Sequence, residues 1–139
     1  MAWVFYSLIA AVGFGIISLI LTHLSRAKIS PLIVNTWFWS ATALIFLTIS
    51  LITSPKQMKI QTNTFKWFVL LAFVAVITNL FSVKALQVGP NTGLVRSIQM
   101  AQIVVATLGG IYLFHEGVSP KAVIGIVLVI VGIILIVNK

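Results

Sequence analysis

Five long apolar runs follow one another along the chain and are separated by short polar breaks. We predict a membrane-spanning helix in each run, at residues 3–23, 31–53, 66–88, 92–114 and 119–137. At a rise of about 1.5 Å per residue each run extends roughly 28–35 Å, which matches the ~30 Å hydrocarbon core of a bilayer. Apolar residues occupy every face of each predicted helix, so a 3.6-residue period is a weak signal here. The length of each run and the breaks between runs identify the helices better.

The breaks carry local signals that end one helix and begin the next. Ser30-Pro31 and Ser119-Pro120 each place an N-cap residue before a Pro at the first helical position. Residues 89–91 read Gly-Pro-Asn, which is typical of a tight turn because Gly and Pro resist helix continuation. The prediction is an all-α integral membrane protein, with five transmembrane helices in a single domain over residues 1–139.

Composition excludes an ordinary soluble domain. Apolar residues make up 60% of the 139 positions and charged residues 7%, against about 25% charged in soluble domains. A chain this short cannot bury so much apolar surface, and disorder requires the opposite composition. The sequence has no Cys, so it offers neither a disulfide framework nor a thiolate metal site.

The formal charge of +8 does not indicate nucleic-acid binding. That function needs a concentrated basic patch, whereas the nine Lys and Arg residues are spread thinly and fall at the ends of apolar runs. We interpret them as anchors that reach the lipid headgroups.

The balance of these cations bears on orientation. Five spans place the loops at 54–65 and 115–118 on one membrane face, and the loop at 24–30, the turn at 89–91 and the C-terminus on the other. The first face holds Lys56, Lys59, Lys66 and Lys121, and the second holds Arg26, Lys28, Lys84, Arg96 and Lys139. Without Lys84 and Arg96, which lie inside spans, the count is four against three. So small a bias is compatible with one weakly set orientation or with insertion in both orientations.

Polar residues inside spans are costly and are therefore candidate site residues. In the fourth span a continuous helix would bring four of them within about 80° of one another, with Gln102 flanking. These four are Thr92, Arg96, Gln99 and Thr107. Such a polar stripe is either the wall of a cavity or hydrogen-bonding glue between helices. Asn79 lies near mid-membrane in the third span, with Thr78 and Ser82 close by.

Other candidates have competing interpretations. Trp37 and Trp39 fit an interfacial aromatic belt or a substrate contact. Lys84 and Arg96 lie roughly 6 Å inside their helices, where they either reach the interface or face a cavity that favours an anionic or zwitterionic solute. The predicted substrate-binding residues are Phe14, Trp37, Asn79, Arg96, Gln99 and Gln102.

Glu116, the only acid, ends the fourth span. We predict a structural role for it, either pairing with Lys121 or satisfying the amides that open the fifth span. Gly125 and Gly132 lie about 20° apart on one face of the fifth span, and we predict that they form a dimer contact. No catalytic triad, metal-ligand cluster or phosphate loop occurs, so we expect no enzyme activity, no cofactor and no metal.

Several of these motifs together resemble the EamA-type repeat of the drug/metabolite transporter superfamily. The residues at 114–119, Phe-His-Glu-Gly-Val-Ser, are followed by Gly125 and Gly132 at the repeat's spacing. Ala85-Leu86, Phe14-Gly15 and the residues Ile-Ser-Pro at 29–31 fit the same repeat. The sequence departs from the pattern at 35–39, where members often carry an Arg, and at 102–104, where they often carry a Pro.

The resemblance implies an architecture and a function. Larger members have ten helices built from two such repeats, so this chain is similar to one five-helix half and would need a second, inverted copy. That expectation and the flat charge count favour an antiparallel homodimer that moves a small solute by alternating access. The related small multidrug resistance family uses an acid in its first helix, which this first span lacks.

The expected function is thus a small-solute transporter in the cell membrane, surrounded by the lipid bilayer. A non-transporting scaffold or assembly subunit, whose polar stripe only joins helices, is the first alternative. A flippase for lipid-linked metabolites, with a laterally open cavity, is the second.

Overall fold

The computed structural model describes residues 2–55 and 62–138, with side chains after the gap from residue 64 onward. Over these residues the chain is helical, with turns and no strand. The helices are α1 (Ala2–Arg26), α2 (Pro31–Thr53), α3 (Thr62–Val88), α4 (Thr92–Gln99), α5 (Gln102–Phe114) and α6 (Pro120–Val137). Lys56, Lys59 and Lys139, which enter the charge count, lie outside the described residues.

Five stretches of the described chain are long and apolar enough to cross a membrane, which confirms the predicted fold class. They are α1, α2, residues Thr64–Val88 of α3, the pair α4 and α5 over Thr92–Phe114, and α6. The largest difference from the predicted pattern lies in the fourth span, where Met100 and Ala101 interrupt the helix. α1 also continues to Arg26, three residues beyond the predicted end of its span.

The starts of α2, α4 and α6 are stabilised in different ways. Ser119 closes the start of α6, because its side-chain oxygen accepts a hydrogen bond from the Ala122 N–H at 3.3 Å. Ser30 precedes Pro31 at the start of α2 but makes no such bond, so the fixed φ of Pro31 alone favours the helix there. Asn91 caps α4, with its Oδ1 accepting from the Leu94 N–H at 2.8 Å.

The chain divides into two compact units, Met1–Val88 and Gly89–Lys139. In the first unit each of α1, α2 and α3 packs against the other two. The buried residues are Ser18, Leu21, Thr22 and Ser25 on α1, Val34 and Asn35 on α2, and Val83 and Leu86 on α3. They lie near the end of α1, the start of α2 and the end of α3, so the tightest packing is at one end of the unit.

In the second unit α4 packs against α6. Val95 is the buried side chain of α4, while no residue of α6 is buried. The apolar surface that remains exposed along α6 is what a lipid-facing or partner-facing helix presents.

Candidate functional site

Small hydroxyl side chains form the inner face of α1. Ser18, Thr22 and Ser25 donate hydrogen bonds to the carbonyls of Phe14, Ser18 and Leu21, at 2.6, 2.8 and 2.7 Å. Each hydroxyl therefore donates its hydrogen bond to a carbonyl of its own helix, one turn back. Small side chains of this kind let helix backbones approach closely in a membrane, which suits this face to packing.

Two amide side chains connect the helices of the first unit. Asn35 Nδ2 donates to the backbone oxygen of Asn79 at 3.3 Å and to that of Pro31 at 2.9 Å. Gln87 Nε2 donates to the Ser25 backbone oxygen at 3.4 Å. The first amide joins α2 to α3 and the second joins α3 to α1. Asn35 is a polar residue within its predicted span, so the sequence offered a signal for it, whereas Gln87 sits at a span end and gave none.

The predicted residues of the first unit do not share one hydrogen-bonded cluster. The Asn79 side chain donates to the Ala75 carbonyl of its own helix at 2.8 Å, and its backbone oxygen receives Asn35. Phe14 and Trp37 are 67% and 75% exposed. Trp37 lines an apolar groove between α1 and α2, and neither Phe14 nor Asn79 is among the residues that line it. The structure thus gives the Asn79 backbone oxygen a role in joining helices and leaves the side chains of Phe14 and Trp37 exposed within the unit.

The second unit holds the most polar contact of the fourth span. Arg96 Nη1 donates to Gln99 Oε1 at 2.6 Å, and both side chains are half-buried. The two residues are three apart on α4, so they lie on the same face of the helix. A neutral amide oxygen holds the guanidinium in place and leaves its positive charge intact. A fixed cation about 6 Å inside a span is suited to binding an anionic group.

The helix break after Gln99 changes the polar stripe. The N–H groups of Ala101, Ile103 and Val104 bond three residues back, to Ile98, Met100 and Ala101, at 3.0–3.1 Å, and the Met100 N–H is shared between the Arg96 and Ser97 carbonyls at 3.1 and 3.2 Å. Such tight turns rotate about 120° per residue instead of 100°. The line calculated for a continuous helix therefore does not by itself locate Gln102 and Thr107, which follow these turns. Gln102 is exposed, and Arg96 and Gln99 remain the pair that the structure brings together.

Glu116 folds back over the end of α5. His115 ends this helix in the left-handed conformation, with φ 54°, and the Glu116 N–H bonds the Gly110 carbonyl at 3.2 Å. The Glu116 carboxylate lies against Gly110, so closely that a Cβ there would overlap its Oε2. In the first turn of α6 the Ala122 N–H is bonded by Ser119. These contacts suit a structural Glu116, and the pairing with Lys121 stays a prediction.

The face of α6 that carries Gly125 and Gly132 is open within its unit. No described atom of the second unit lies within 4 Å of a Cβ built at either glycine. The groove between them is therefore not filled by α4 or α5.

A family comparison decides the class of this protein. The model of the EamA-like transporter family matches residues 1–138. The chain belongs to the EamA-like transporter family. No curated protein and no solved structure is significantly similar to it. EamA-like proteins are transporters, and this chain is a multi-pass membrane transporter of the drug/metabolite superfamily.

The helix break has a counterpart in the EamA-like pattern. The Pro that members often carry midway along the fourth span corresponds to residues 102–104 here, directly after the break at Met100 and Ala101. This chain interrupts the helix without a Pro, through the three-residue hydrogen bonds described above. Discontinuous helices of this kind commonly mark the moving or binding parts of transporters.

We expect Gln102→Pro to leave the stability of this EamA-like protein nearly unchanged. Gln102 is the first residue of α5, after Ala101 as the N-cap, and Pro is tolerated at this position because the N–H there has no acceptor within its own helix. Ala106→Pro is the matched control, because it removes a helical hydrogen bond one turn later and should cost about 3 kcal/mol or more. Each Pro would follow a residue in the right-handed helical conformation, so the cost that Pro imposes on its preceding residue is common to the two variants. Thermal unfolding in detergent distinguishes them, and equal destabilisation by the two variants would contradict an open backbone position at 102.

Proposed function

We propose that this EamA-like chain moves a small anionic or zwitterionic solute across the cell membrane by alternating access, as an antiparallel homodimer. Transporters of this kind pair two inverted repeats and bind the solute near the membrane midplane between them. This chain has the length of one repeat. Its near-equal Lys and Arg counts on the two faces favour a second copy in the opposite orientation.

The observation that carries the choice of solute is the bond between Arg96 and Gln99. This bond, 2.6 Å long, holds the guanidinium in the second half of α4, four residues before the helix break begins at Met100. An ionised side chain within a span is expensive unless it serves binding or reaches the interface. Charge-assisted bonds to carboxylate or phosphate oxygens are the strongest contacts that a guanidinium makes. The proposed site places Arg96 against the negative group of the solute and Gln99 beside it as a positioning residue.

A transport assay tests the proposal. Purified protein in proteoliposomes is screened for uptake of amino acids, organic anions, nucleosides and organic cations. We expect uptake of a solute with a carboxylate or phosphate group, and none of permanent cations. Absence of transport for every class would favour the scaffold alternative, and movement of a lipid-linked compound between leaflets would favour the flippase.

We expect Arg96→Gln to reduce uptake about ten- to hundredfold, since a hydrogen bond to a charged group contributes about 1.5–3 kcal/mol. Lys84→Gln is the matched control. Lys84 also lies a few residues inside its helix end, but its side chain is exposed and its Nζ bonds Gln87 Oε1 at 3.3 Å. We expect near-normal uptake from this variant. Equal loss in the two variants would show that general charge, and not the fixed guanidinium, matters.

Gln99→Leu separates a binding role from helix glue. The substitution removes the amide that holds Arg96 and places an apolar side chain in the span, so thermal stability should stay level or rise. Uptake should fall because the guanidinium is no longer fixed. A stability loss of about 0.6 kcal/mol or more with normal uptake would identify Gln99 as a helix–helix contact instead. Both quantities are measured on one preparation, by thermal unfolding and by uptake.

A further inference from the structure

The helices of the first unit pack together at one end only. Their buried side chains lie at what we call the packed end, whereas the opposite halves of the same helices are exposed. At the packed end Ser25, Val83 and Leu86 are each 1% exposed. A unit that is closed toward one membrane face and uncovered toward the other is what one state of an alternating-access cycle requires. The packed end consists of residues 18–25 of α1, 34–35 of α2 and 79–87 of α3, and the exposed halves consist of residues 2–12, 43–49 and 64–74.

Polar side chains at the packed end have hydrogen bonds that do not depend on the neighbouring helices. Ser18 and Ser25 donate to carbonyls one turn back on α1. Asn35 and Asn79 likewise each donate to a carbonyl of their own helix, at 2.9 and 2.8 Å. Separation of the helices breaks none of these bonds, and water can bind the oxygen atoms that it uncovers. The penalty for leaving a polar group unpaired therefore does not oppose opening at these four positions.

Two hydrogen bonds that cross between helices at the packed end share α3. Asn35 of α2 donates to the Asn79 backbone oxygen at 3.3 Å, and Gln87 of α3 donates to the Ser25 backbone oxygen at 3.4 Å. Both bonds are longer than the usual length of about 2.9–3.0 Å and are therefore weak. Movement of the end of α3 alone would break both. Apolar side chains buried beside these bonds would meet water on opening, so the closed arrangement is the favoured one.

We propose that the packed end is a gate. Its α3 part swings away from α1 and α2, and the solute passes along the uncovered hydroxyl and amide groups to the membrane face that holds the 24–30 loop. This inference rests on the proposed function, because alternating access requires a closure on each face. An inverted second copy would present the same gate to the other face.

Cysteine labelling tests the gate without a solute. The chain has no Cys, so Ser25→Cys, Thr22→Cys and Ser18→Cys each supply a single thiol. These thiols lie about 2, 6 and 12 Å from the C-terminal end of α1. Each variant is placed in nanodiscs, which expose both membrane faces, and is reacted with a charged, water-soluble thiosulfonate. An open state populated at about 0.1–10% should let all three thiols react to completion, about ten- to thousandfold more slowly than Ala27→Cys in the loop.

Leu19→Cys is the matched control for depth in the membrane. Leu19 follows Ser18 directly on α1, but its side chain is 64% exposed, whereas that of Ser18 is buried. In a bilayer this thiol should meet lipid in both states of the gate and stay unreactive.

Two substitutions on α2 show whether the Asn35 bond holds the gate closed. Asn35→Val removes the bond to α3 and should raise the labelling rate of Ser18→Cys about threefold, the effect of a typical hydrogen bond between membrane helices. Thr36→Val is the matched control, because the Thr36 hydroxyl is exposed and bonds the Leu32 carbonyl of its own helix at 2.9 Å. It should leave the labelling rate unchanged.

Several outcomes would overturn the gate. Labelling confined to Ser25→Cys would show fraying of the helix end, and labelling of none of the three thiols would show permanent packing. Equal labelling of Ser18→Cys and Leu19→Cys would show general loosening of the unit, and equal rates with Asn35→Val and Thr36→Val would remove the Asn35 bond from the closure. The expected labelling together with an uptake screen that finds no solute would sustain the opening and overturn the transport proposal alone.

Discussion

Gly125→Leu and Gly132→Leu should each convert the proposed dimer to monomers and abolish transport. The two glycines lie two turns apart on one face of α6, and no atom of their own unit occupies the space above them. In lipid there is little hydrophobic force between helices, so association depends on close backbone approach and packing. A Leu side chain in such a groove prevents that approach. Overpacking costs of about 1–3 kcal/mol would weaken association by about ten- to hundredfold.

The protomer itself should tolerate both substitutions. A Cβ at either glycine meets open space within its unit, and Leu has a higher helix propensity than Gly. Gly109→Leu is the matched control, because Gly109 lies on α5 of the same unit and its Cβ position is also open. Light scattering of detergent-solubilised protein, corrected for bound detergent, reports the oligomeric state. Gly125 and Gly132 variants that remain dimeric, or a Gly109 variant that dissociates equally, would place the interface elsewhere.

The spans were predictable because their signal is physical and local. A bilayer requires about 20 consecutive apolar residues, and few soluble folds tolerate that many. Hydropathy locates helix ends less well, because a helix can continue past the apolar region. α1 does so through Leu24, Ser25 and Arg26, where the long Arg26 side chain is exposed and suited to reach the headgroups while the backbone stays helical.

The break in the fourth span could not be predicted from its residues. Met100 and Ala101 are good helix formers, and neither Gly nor Pro marks the position. Nothing in these two residues themselves accounts for the change of hydrogen-bond pattern there. The Arg96–Gln99 bond lies within α4, where a spacing of 100° per residue applies, and the positions of Gln102 and Thr107 in the polar stripe stay a prediction.

Polar residues within the spans could be found from the sequence, but their partners could not. Asn79 and Asn35 are equally conspicuous in apolar segments. The structure shows the Asn35 amide crossing to the backbone of Asn79, while the Asn79 side chain stays on its own helix. Which of two such residues bridges the helices depends on rotation of the helices about their axes, and continuous hydrophobicity around each span conceals that rotation.

A reporter fused to the C-terminus should give a signal on both sides of the membrane, and a few charges should suffice to make it one-sided. The two faces differ by about one Lys or Arg, and orientation follows the bias of these residues in short loops. Lys56→Gln/Lys59→Gln should drive the C-terminus to the cytoplasmic side, because the face that holds the C-terminus then carries the larger positive charge. Arg26→Gln/Lys28→Gln should drive it outward for the converse reason.

Glu116→Gln is the matched control for this experiment. It changes the net charge of the chain by one, yet acidic residues contribute little to orientation, so the two-sided signal should persist. Antiparallel pairing requires both orientations in one membrane, which links this result to the dimer proposed through α6. A signal confined to one side and unmoved by either double substitution would rule out dual insertion. In that case two chains in the same orientation could not form the inverted pair, and the Gly125 and Gly132 face would have to serve a parallel contact or another partner.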